Sequence, residues 1–215
     1  MSRNVPDMFI QRLEDILESW HETASLEWRP VTGAAVIGLT LSVGYIVWQH
    51  CFTSDRWVFL LDNANLAIHE AGHPILGLLV PGWAVYGGTL FQLLFPALFA
   101  GHFWRQRHGL GWSVALMWFG ESLLNVGRYM ADARVHELPL VGGGDHDWTE
   151  IFSRWDMLAW DTGIAGITRL IGLGVMLAAL FWAWKRWRSA RVCRRLRRSP
   201  GDRMFSADGK TRMRR

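Results

Sequence analysis

The chain has 215 residues, of which half are hydrophobic and 14 are tryptophan. Tryptophan concentrates at membrane–water interfaces, so this composition favours a membrane protein over a soluble domain. The net charge of +4 conceals an asymmetry, because more than half of the 23 lysine and arginine residues follow residue 184. The two cysteines, Cys51 and Cys193, are too far apart to indicate a disulfide framework or a cysteine metal site.

Residues 1–30 are rich in acids, and their apolar positions recur at a helical period. They predict an amphipathic helix that lies on the membrane or docks on the protein itself. Residues 31–184 contain five long apolar segments, and a helix needs about 20 residues to cross the hydrocarbon layer. The sequence therefore predicts an all-α, polytopic membrane helix bundle with about five transmembrane segments. These segments are residues 31–48, 57–80, 84–104, 110–132 and 163–184.

Residues 185–215 form a basic tail, which is predicted to be disordered. The positive-inside rule places this tail in the cytoplasm, and counting back through five segments places residues 105–108 there as well. The same count puts the N-terminus outside. A basic tail that directly follows a membrane span is typical of contact with anionic lipids, so we expect membrane lipids and no nucleic acid as partners.

The second apolar segment contains the stretch LAIHEAGHPILGLLV, residues 66–80, which includes an HExxH motif. On a helix, His69 and His73 lie four residues apart on one face, so both imidazoles can reach a single metal ion. This spacing suits Zn²⁺, and Glu70 would act as the catalytic base beside a water molecule. The alternative is that the histidines pair with other polar groups inside the bundle.

The fourth segment carries a polar face made of Glu121, Asn125, Arg128 and Asp132. In one interpretation this face is an internal ladder of ion pairs. In the other it completes the metal site, with Asp132 as the third metal ligand. Asn125 and Arg128 would then have catalytic roles, by positioning a substrate carbonyl or stabilising an oxyanion.

His146 is a rival third ligand, because it follows the glycine-rich stretch LPLVGGGDHDW, residues 138–148, and has carboxylates beside it. Alternatively, this stretch is a surface turn in which Asp147 caps a helix that begins near Trp148. Asp132 is the preferred ligand, because a helix fixes a side chain better than a glycine-rich loop does.

A hydrophobic HEAGH segment followed by an acidic residue on a later span resembles the site-2 protease family of intramembrane zinc metalloproteases. The resemblance implies that His69, His73 and a distant aspartate hold zinc and that Glu70 activates water. The Leu-Asp-Gly motif of that family is absent, and MADAR, residues 130–134, stands where it would be expected. HEAGH, YMADAR and LPLVGGGDHDW together also resemble a set of small bacterial membrane proteins of uncharacterised function.

These features predict a membrane-embedded zinc metallopeptidase of the bacterial inner membrane. It would hydrolyse a peptide bond of a transmembrane or juxtamembrane protein substrate, in or near the bilayer. One alternative is a non-catalytic membrane protein with a structural or metal-sensing polar network. Another is a membrane non-heme iron oxidoreductase, for which further paired histidine motifs would be expected. The sequence does not indicate an oligomeric state.

Overall fold

The computed structural model describes residue 10, residues 27–141 and residues 145–197, with side chains up to residue 193. This described part of the chain is helical and contains no strand, only an isolated bridge between Arg29 and His108. The predicted all-α class is therefore confirmed. The predicted amphipathic helix within residues 1–30 lies almost entirely outside the described residues. The predicted disorder of residues 185–215 is wrong for residues 185–197, which continue the last helix, and the rest of the tail lies outside the described residues.

Five long helices and one short helix follow in chain order. Three of them, the first, the third and the stretch Leu158–Cys193, are long and apolar enough to cross a membrane. The second and fourth helices carry more polar residues, so the five crossing segments stay a prediction. The helices are α1 (Gly33–Phe52), α2 (Phe59–Leu79), α3 (Ala84–Arg105), α4 (Gly109–Ala131), α5 (Asp147–Arg154) and α6 (Asp161–Arg197), with a 3₁₀ turn at Leu158–Trp160.

Helix α4 is the centre of the bundle, because it packs closely on both α6 and α3. A Cβ atom on Gly120 of α4 would lie 2.6 Å from the carbonyl oxygen of Gly172 on α6, so only glycine fits there. Small residues that bring two backbones together in this way are typical of helix packing in membranes.

Helix α2 packs mainly on α3 and does not run the length of the bundle. At its start, Val58 packs against Leu124, and Arg128 donates a 3.2 Å hydrogen bond to the carbonyl oxygen of Arg56. At its end, Arg154 donates to the carbonyl oxygen of Gly82. Both ends of α2 thus contact the C-terminal half of α4 or residues that follow it, and α2 continues through Pro74 to Leu79.

A cluster of tryptophans marks the opposite end of the bundle. Trp28, which precedes α1, contacts Trp104, Trp112 and Trp182. The guanidinium groups of Arg107 and Arg186 both lie 5.1 Å from the Trp28 ring. The entry to α1, the turn between α3 and α4, and the later part of α6 therefore meet at one end.

This arrangement corrects the expected placement of the N-terminal segment on the side opposite to residues 105–108. Residue 29 instead donates its backbone N–H to the carbonyl oxygen of Arg107, 2.9 Å away. The segments on either side of α2 both contact the second half of α4 or residues that follow it, so the count of apolar segments does not fix which end residue 29 occupies.

Candidate metal centre

Three side chains from two distant parts of the chain meet at one point. His69 and His73 lie one turn apart on α2, and Asp147 is the first residue of α5. The Nε2 atom of His69 lies 2.9 Å from Oδ2 of Asp147, and Nε2 of His73 lies 3.3 Å from the same oxygen. All three ligand atoms lie within 4.8 Å of one another.

The partners of the other ring nitrogens fix which tautomer each histidine adopts. Nδ1 of His73 lies 2.9 Å from the backbone carbonyl oxygen of Ala84, and Nδ1 of His69 lies 3.2 Å from Oε1 of Gln92. A carbonyl oxygen only accepts hydrogen bonds, so each Nδ1 carries the proton and donates. In the neutral rings, both Nε2 atoms therefore present lone pairs to Asp147.

Asp147 meets these lone pairs as an anion. Burial alone would raise the pKa of Asp147, but hydrogen bonds from His69 and His73, which form when a ring carries a proton on Nε2, outweigh burial and hold that pKa below its usual value. Two nitrogen lone pairs and a carboxylate oxygen repel one another unless positive charge lies between them. Either added protons or one metal ion would supply that charge, and one divalent ion satisfies all three atoms at once.

The donor set fits zinc. Catalytic zinc sites use three protein ligands drawn from imidazole and carboxylate groups and keep one position open. Two ligands at about 2.1 Å from a tetrahedral ion lie about 3.4 Å apart, which is close to the observed 2.9 and 3.3 Å. Metal-bound histidines also donate their second ring N–H to an oxygen, as both of these rings do.

The local structure explains why Asp147 faces the histidines. The imidazole of His146 caps α5 by accepting a hydrogen bond from the N–H of Thr149, so the helix begins at Asp147. The backbone N–H of Asp147 donates to the hydroxyl oxygen of Tyr129 at 3.2 Å. The expectation that Asp147 caps the helix is therefore wrong, and its carboxylate is available to the histidine pair.

Two glycines on α3 make room for the motif. A Cβ atom on Gly88 would lie 2.4 Å from Nε2 of His69, so any larger residue would displace the imidazole. A Cβ atom on Gly87 would lie 2.2 Å from the carbonyl oxygen of Gly72, within the motif itself. The sequence GG in α3 thus sets both the distance between α2 and α3 and the position of the ring.

Glu70 lines the cavity beside the two histidines. The cavity has a volume of about 670 Å³ and mixed polar and apolar walls. One wall is the stretch 138–141, in which Leu140 and Val141 are partly exposed. The remaining polar lining includes Asp62, Gln92, Asn125, Arg128, Tyr129, Asp145 and Glu150.

Asn125 and Arg128 both line this cavity, but their hydrogen bonds differ from those expected. Asn125 donates to Oδ1 of Asp62 at 2.6 Å and accepts from Nε2 of Gln92 at 3.0 Å. Arg128 donates to a backbone carbonyl and lies over the ring of Trp57. Within the described residues, neither Glu121 nor Asp132 forms an ion pair with Arg128, so the predicted ladder is not formed.

Asp132 and His146, the two expected third ligands, face each other instead of His69 and His73. Nε2 of His146 lies 3.3 Å from Oδ2 of Asp132, which also accepts the backbone N–H of Leu138. The other oxygen of Asp132 accepts the N–H of Glu137. Asp132 therefore anchors the turn after α4, and Asp147 takes the place that the sequence analysis gave to Asp132 or His146.

Sequence reasoning missed the positions of Asp147 and Tyr129 at this cluster. The clearest available signal was the stretch DHDW, which offers acidic residues on both sides of His146. A shift of the helix start by one residue decides whether the histidine or the aspartate faces the site.

Comparisons with protein-family models, curated proteins and solved structures find no match to this chain. The resemblance to the site-2 protease family therefore stays a prediction.

Proposed function

We propose that this protein is a membrane-embedded zinc metallopeptidase in which His69, His73 and Asp147 hold the ion. One observation carries the proposal: the Nε2 atoms of two histidines and a carboxylate oxygen converge on a cavity that also contains Glu70. When both rings are neutral, all three atoms are acceptors, and one cation would satisfy them together.

The residues around the ion have distinct tasks in peptide hydrolysis. When bound, zinc lowers the pKa of a water molecule and polarises a carbonyl oxygen. Glu70 takes a proton from the attacking water molecule as the oxygen of that water bonds to the carbonyl carbon. Glu70 then delivers that proton to the nitrogen as the carbon–nitrogen bond breaks. Tyr129 holds the backbone of Asp147 through its hydroxyl oxygen.

The proposed location is the bacterial inner membrane, with the tryptophan-rich end of the bundle at the cytoplasmic face. Residues 105–108 and the start of the basic run lie at that end, as the positive-inside rule requires. Helices α1, α3, α4 and α6 would cross the bilayer, while α2 would enter and leave from the opposite face. The metal site would then lie in the outer half of the membrane protein.

The proposed substrate is a transmembrane or juxtamembrane protein segment in an extended conformation. The stretch 138–141 lies outside the helices, carries apolar side chains and forms a wall of the cavity. Its partly exposed Leu140 and Val141 offer apolar contacts to such a segment. Membrane lipids would surround the rest of the bundle, where large apolar side chains are exposed on α1, α3 and α6.

A second candidate function has a specific observation in its favour. Two histidines and one carboxylate also form the ligand set of non-heme iron oxygenases. That chemistry gives no role to Glu70, whereas hydrolysis needs a base beside the ion. The identity of the metal in the purified protein distinguishes the two candidates.

The test of the proposal is metal analysis of the full-length protein purified in detergent. We expect stoichiometric zinc in the wild type and none in His73→Ala at equal helical content. Stoichiometric iron would favour the oxygenase, and a wild type that neither contains nor takes up zinc would remove the metallopeptidase. Hydrolysis of an unwound model transmembrane peptide, wild type against metal-stripped protein, then tests the reaction itself.

A further inference from the structure

A chain of hydrogen bonds leads from His69 to Asp62, which lies two turns earlier on the same helix. Nδ1 of His69 contacts Oε1 of Gln92, and Nε2 of Gln92 donates to Oδ1 of Asn125. Nδ2 of Asn125 donates to Oδ1 of Asp62 at 2.6 Å. Oδ2 of Asp62 accepts the backbone N–H of Val58. Asp62 is fully buried and Gln92 is 3 % exposed, whereas Asn125 is partly buried at the wall of the cavity.

The direction of this chain is set at the Asp62 end. One oxygen of the Asp62 carboxyl group accepts the N–H of Val58, and the other accepts from Asn125. Asn125 therefore turns its amide nitrogen towards Asp62 and its oxygen towards Gln92. Gln92 must then turn its nitrogen towards Asn125 and its oxygen towards His69. An oxygen at that position requires the proton of His69 to lie on Nδ1, which leaves the Nε2 lone pair for the metal.

We propose that Asp62 is a positioning residue that fixes the metal-binding tautomer of His69 through a relay of two hydrogen-bonded amides, Asn125 and Gln92. This inference rests on the proposed zinc site. His73 does not need such a relay, because the backbone carbonyl of Ala84 can only accept. An amide side chain such as Gln92, in contrast, presents either its oxygen or its nitrogen. The tautomer of His69 is therefore fixed only while Asp62 and Asn125 hold Gln92 in one orientation.

Substitution of Asp62 by asparagine should reverse the relay. The oxygen of the new amide would keep the N–H of Val58, and its nitrogen would face Asn125. Asn125 and Gln92 would both turn over, and the nitrogen of Gln92 would then face Nδ1 of His69. The proton of His69 would move to Nε2, the atom that must be free to bind zinc.

Exchange of Asp62 and Asn125 should restore the original orientation of Gln92. In Asp62→Asn combined with Asn125→Asp, the amide at position 62 donates to the carboxylate at position 125. That carboxylate also accepts from Gln92, so the oxygen of Gln92 again faces His69. The charge and the two side-chain volumes of the pair are unchanged. Asn125→Asp alone sets two carboxylates against each other and should disturb the relay.

The experiment is a titration of metal-stripped, full-length protein in detergent with Zn²⁺, with helical content and thermal unfolding measured in parallel. Asp62→Asn and Asn125→Asp should each weaken zinc binding by roughly 10- to 100-fold, the cost of losing an outer-shell partner of a ligand. The double exchange should bind zinc within a few-fold of the wild type. Asp161→Asn is the matched control, because Asp161 is another buried acid, and it pairs with Arg134 outside the relay. Its zinc affinity should stay unchanged.

Each outcome decides the inference. If the wild type binds zinc and Asp62→Asn binds it equally well, Asp62 has no positioning role, while the proposed function stands. A double exchange as weak as the single variants would also overturn the inference. If the wild type binds no zinc, the proposed function has failed. Should the Asp62 and Asn125 variants not fold, Gln92→Leu removes the side chain that accepts from Nδ1 of His69 and donates to Asn125. Unchanged zinc affinity in that variant overturns the relay.

Discussion

Two neighbouring residues at the start of α5, His146 and Asp147, each join an imidazole to a carboxylate, with opposite consequences. Asp147 meets two rings whose Nδ1 protons are already given to oxygen atoms. His146 meets Asp132 with a ring whose Nδ1 accepts the N–H of Thr149. Burial lowers the pKa of His146, which favours that neutral ring. The proton of His146 therefore lies on Nε2, where it faces Asp132.

The difference shows that the hydrogen-bond partner of Nδ1 determines whether Nε2 of the same neutral imidazole carries a proton or a lone pair. His146 places an N–H towards the carboxylate of Asp132 at 3.3 Å, so that contact joins opposite charges without an ion. The cluster of His69, His73 and Asp147 lacks such a proton when both rings are neutral, and either an added proton or a cation would supply the missing positive charge. Distances alone do not separate the two cases, since a 3.3 Å contact occurs in both.

The largest expected effect comes from removing one carboxylate from each side of this comparison. Asp147→Ala should abolish stoichiometric zinc binding, because it deletes one of three ligands. Asp132→Ala should keep zinc and lose stability, since it leaves the N–H groups of Glu137 and Leu138 without their acceptor. Metal analysis of both purified variants checks this. Zinc lost from Asp132→Ala and retained in Asp147→Ala would reverse the assignment.

Glu70 should matter to the reaction and not to the ion. Glu70→Gln should retain zinc and lower kcat by about 10²- to 10⁴-fold, the usual contribution of a general base. Glu150→Gln is the control, because Glu150 lines the same cavity but pairs with Arg154. Hydrolysis of a model transmembrane peptide measures both. Equal kcat values for Glu70→Gln and the wild type would remove Glu70 from the mechanism.

Gly88→Ala should disturb the cluster around Asp147 and spare the pair of His146 and Asp132. The added methyl group would collide with the imidazole of His69, so we expect zinc affinity to fall by roughly 10- to 100-fold. Gly101→Ala on the same helix is the control, because no atom lies within 4 Å of its new Cβ. Zinc titration of the two variants should give different affinities, and identical affinities would contradict the packing argument.

His146→Ala tests whether the second pair is only structural. The variant loses the cap of α5 and leaves Asp132 without its partner, which should lower stability by about 1–2 kcal/mol. Zinc stoichiometry should be unchanged, because neither nitrogen of His146 is directed at the cluster. Thermal unfolding and metal analysis of the same preparation measure the two effects. Complete loss of zinc at native helical content would make His146 a ligand after all.

The helices and the motif could be read from the sequence, because both depend on spacing along one helix. Apolar runs located α1 to α4 and the start of α6 to within about four residues, although α6 continues to Arg197, well beyond its predicted end. The interval of four placed His69 beside His73. The third ligand could not be read, because it depends on where α5 begins after a long connection. One residue of difference there exchanges Asp147 for His146.

The path of α2 was also beyond the sequence, for a related reason. Length and hydrophobicity indicate whether a helix can cross a membrane, but not where its two ends lie. The contacts of Arg56 with Arg128 and of Gly82 with Arg154 decide that, and they join residues more than 70 positions apart. Counting segments separated residue 29 from residues 105–108, whereas the structure places residue 29 beside Arg107.

Tyr129 lies between the cluster around Asp147 and the pair of His146 and Asp132, and loss of its hydroxyl group should produce the smallest change. Its ring lies 4.3 Å from that of His146 and 5.8 Å from that of His69, measured between centroids. Tyr129→Phe keeps these contacts and removes only the acceptor for the N–H of Asp147. A neutral hydrogen bond contributes about 1 kcal/mol, so zinc affinity should fall by about 5-fold. Zinc titration beside the wild type measures this, and a loss as large as that of Asp147→Ala would mean that the hydroxyl itself binds the ion.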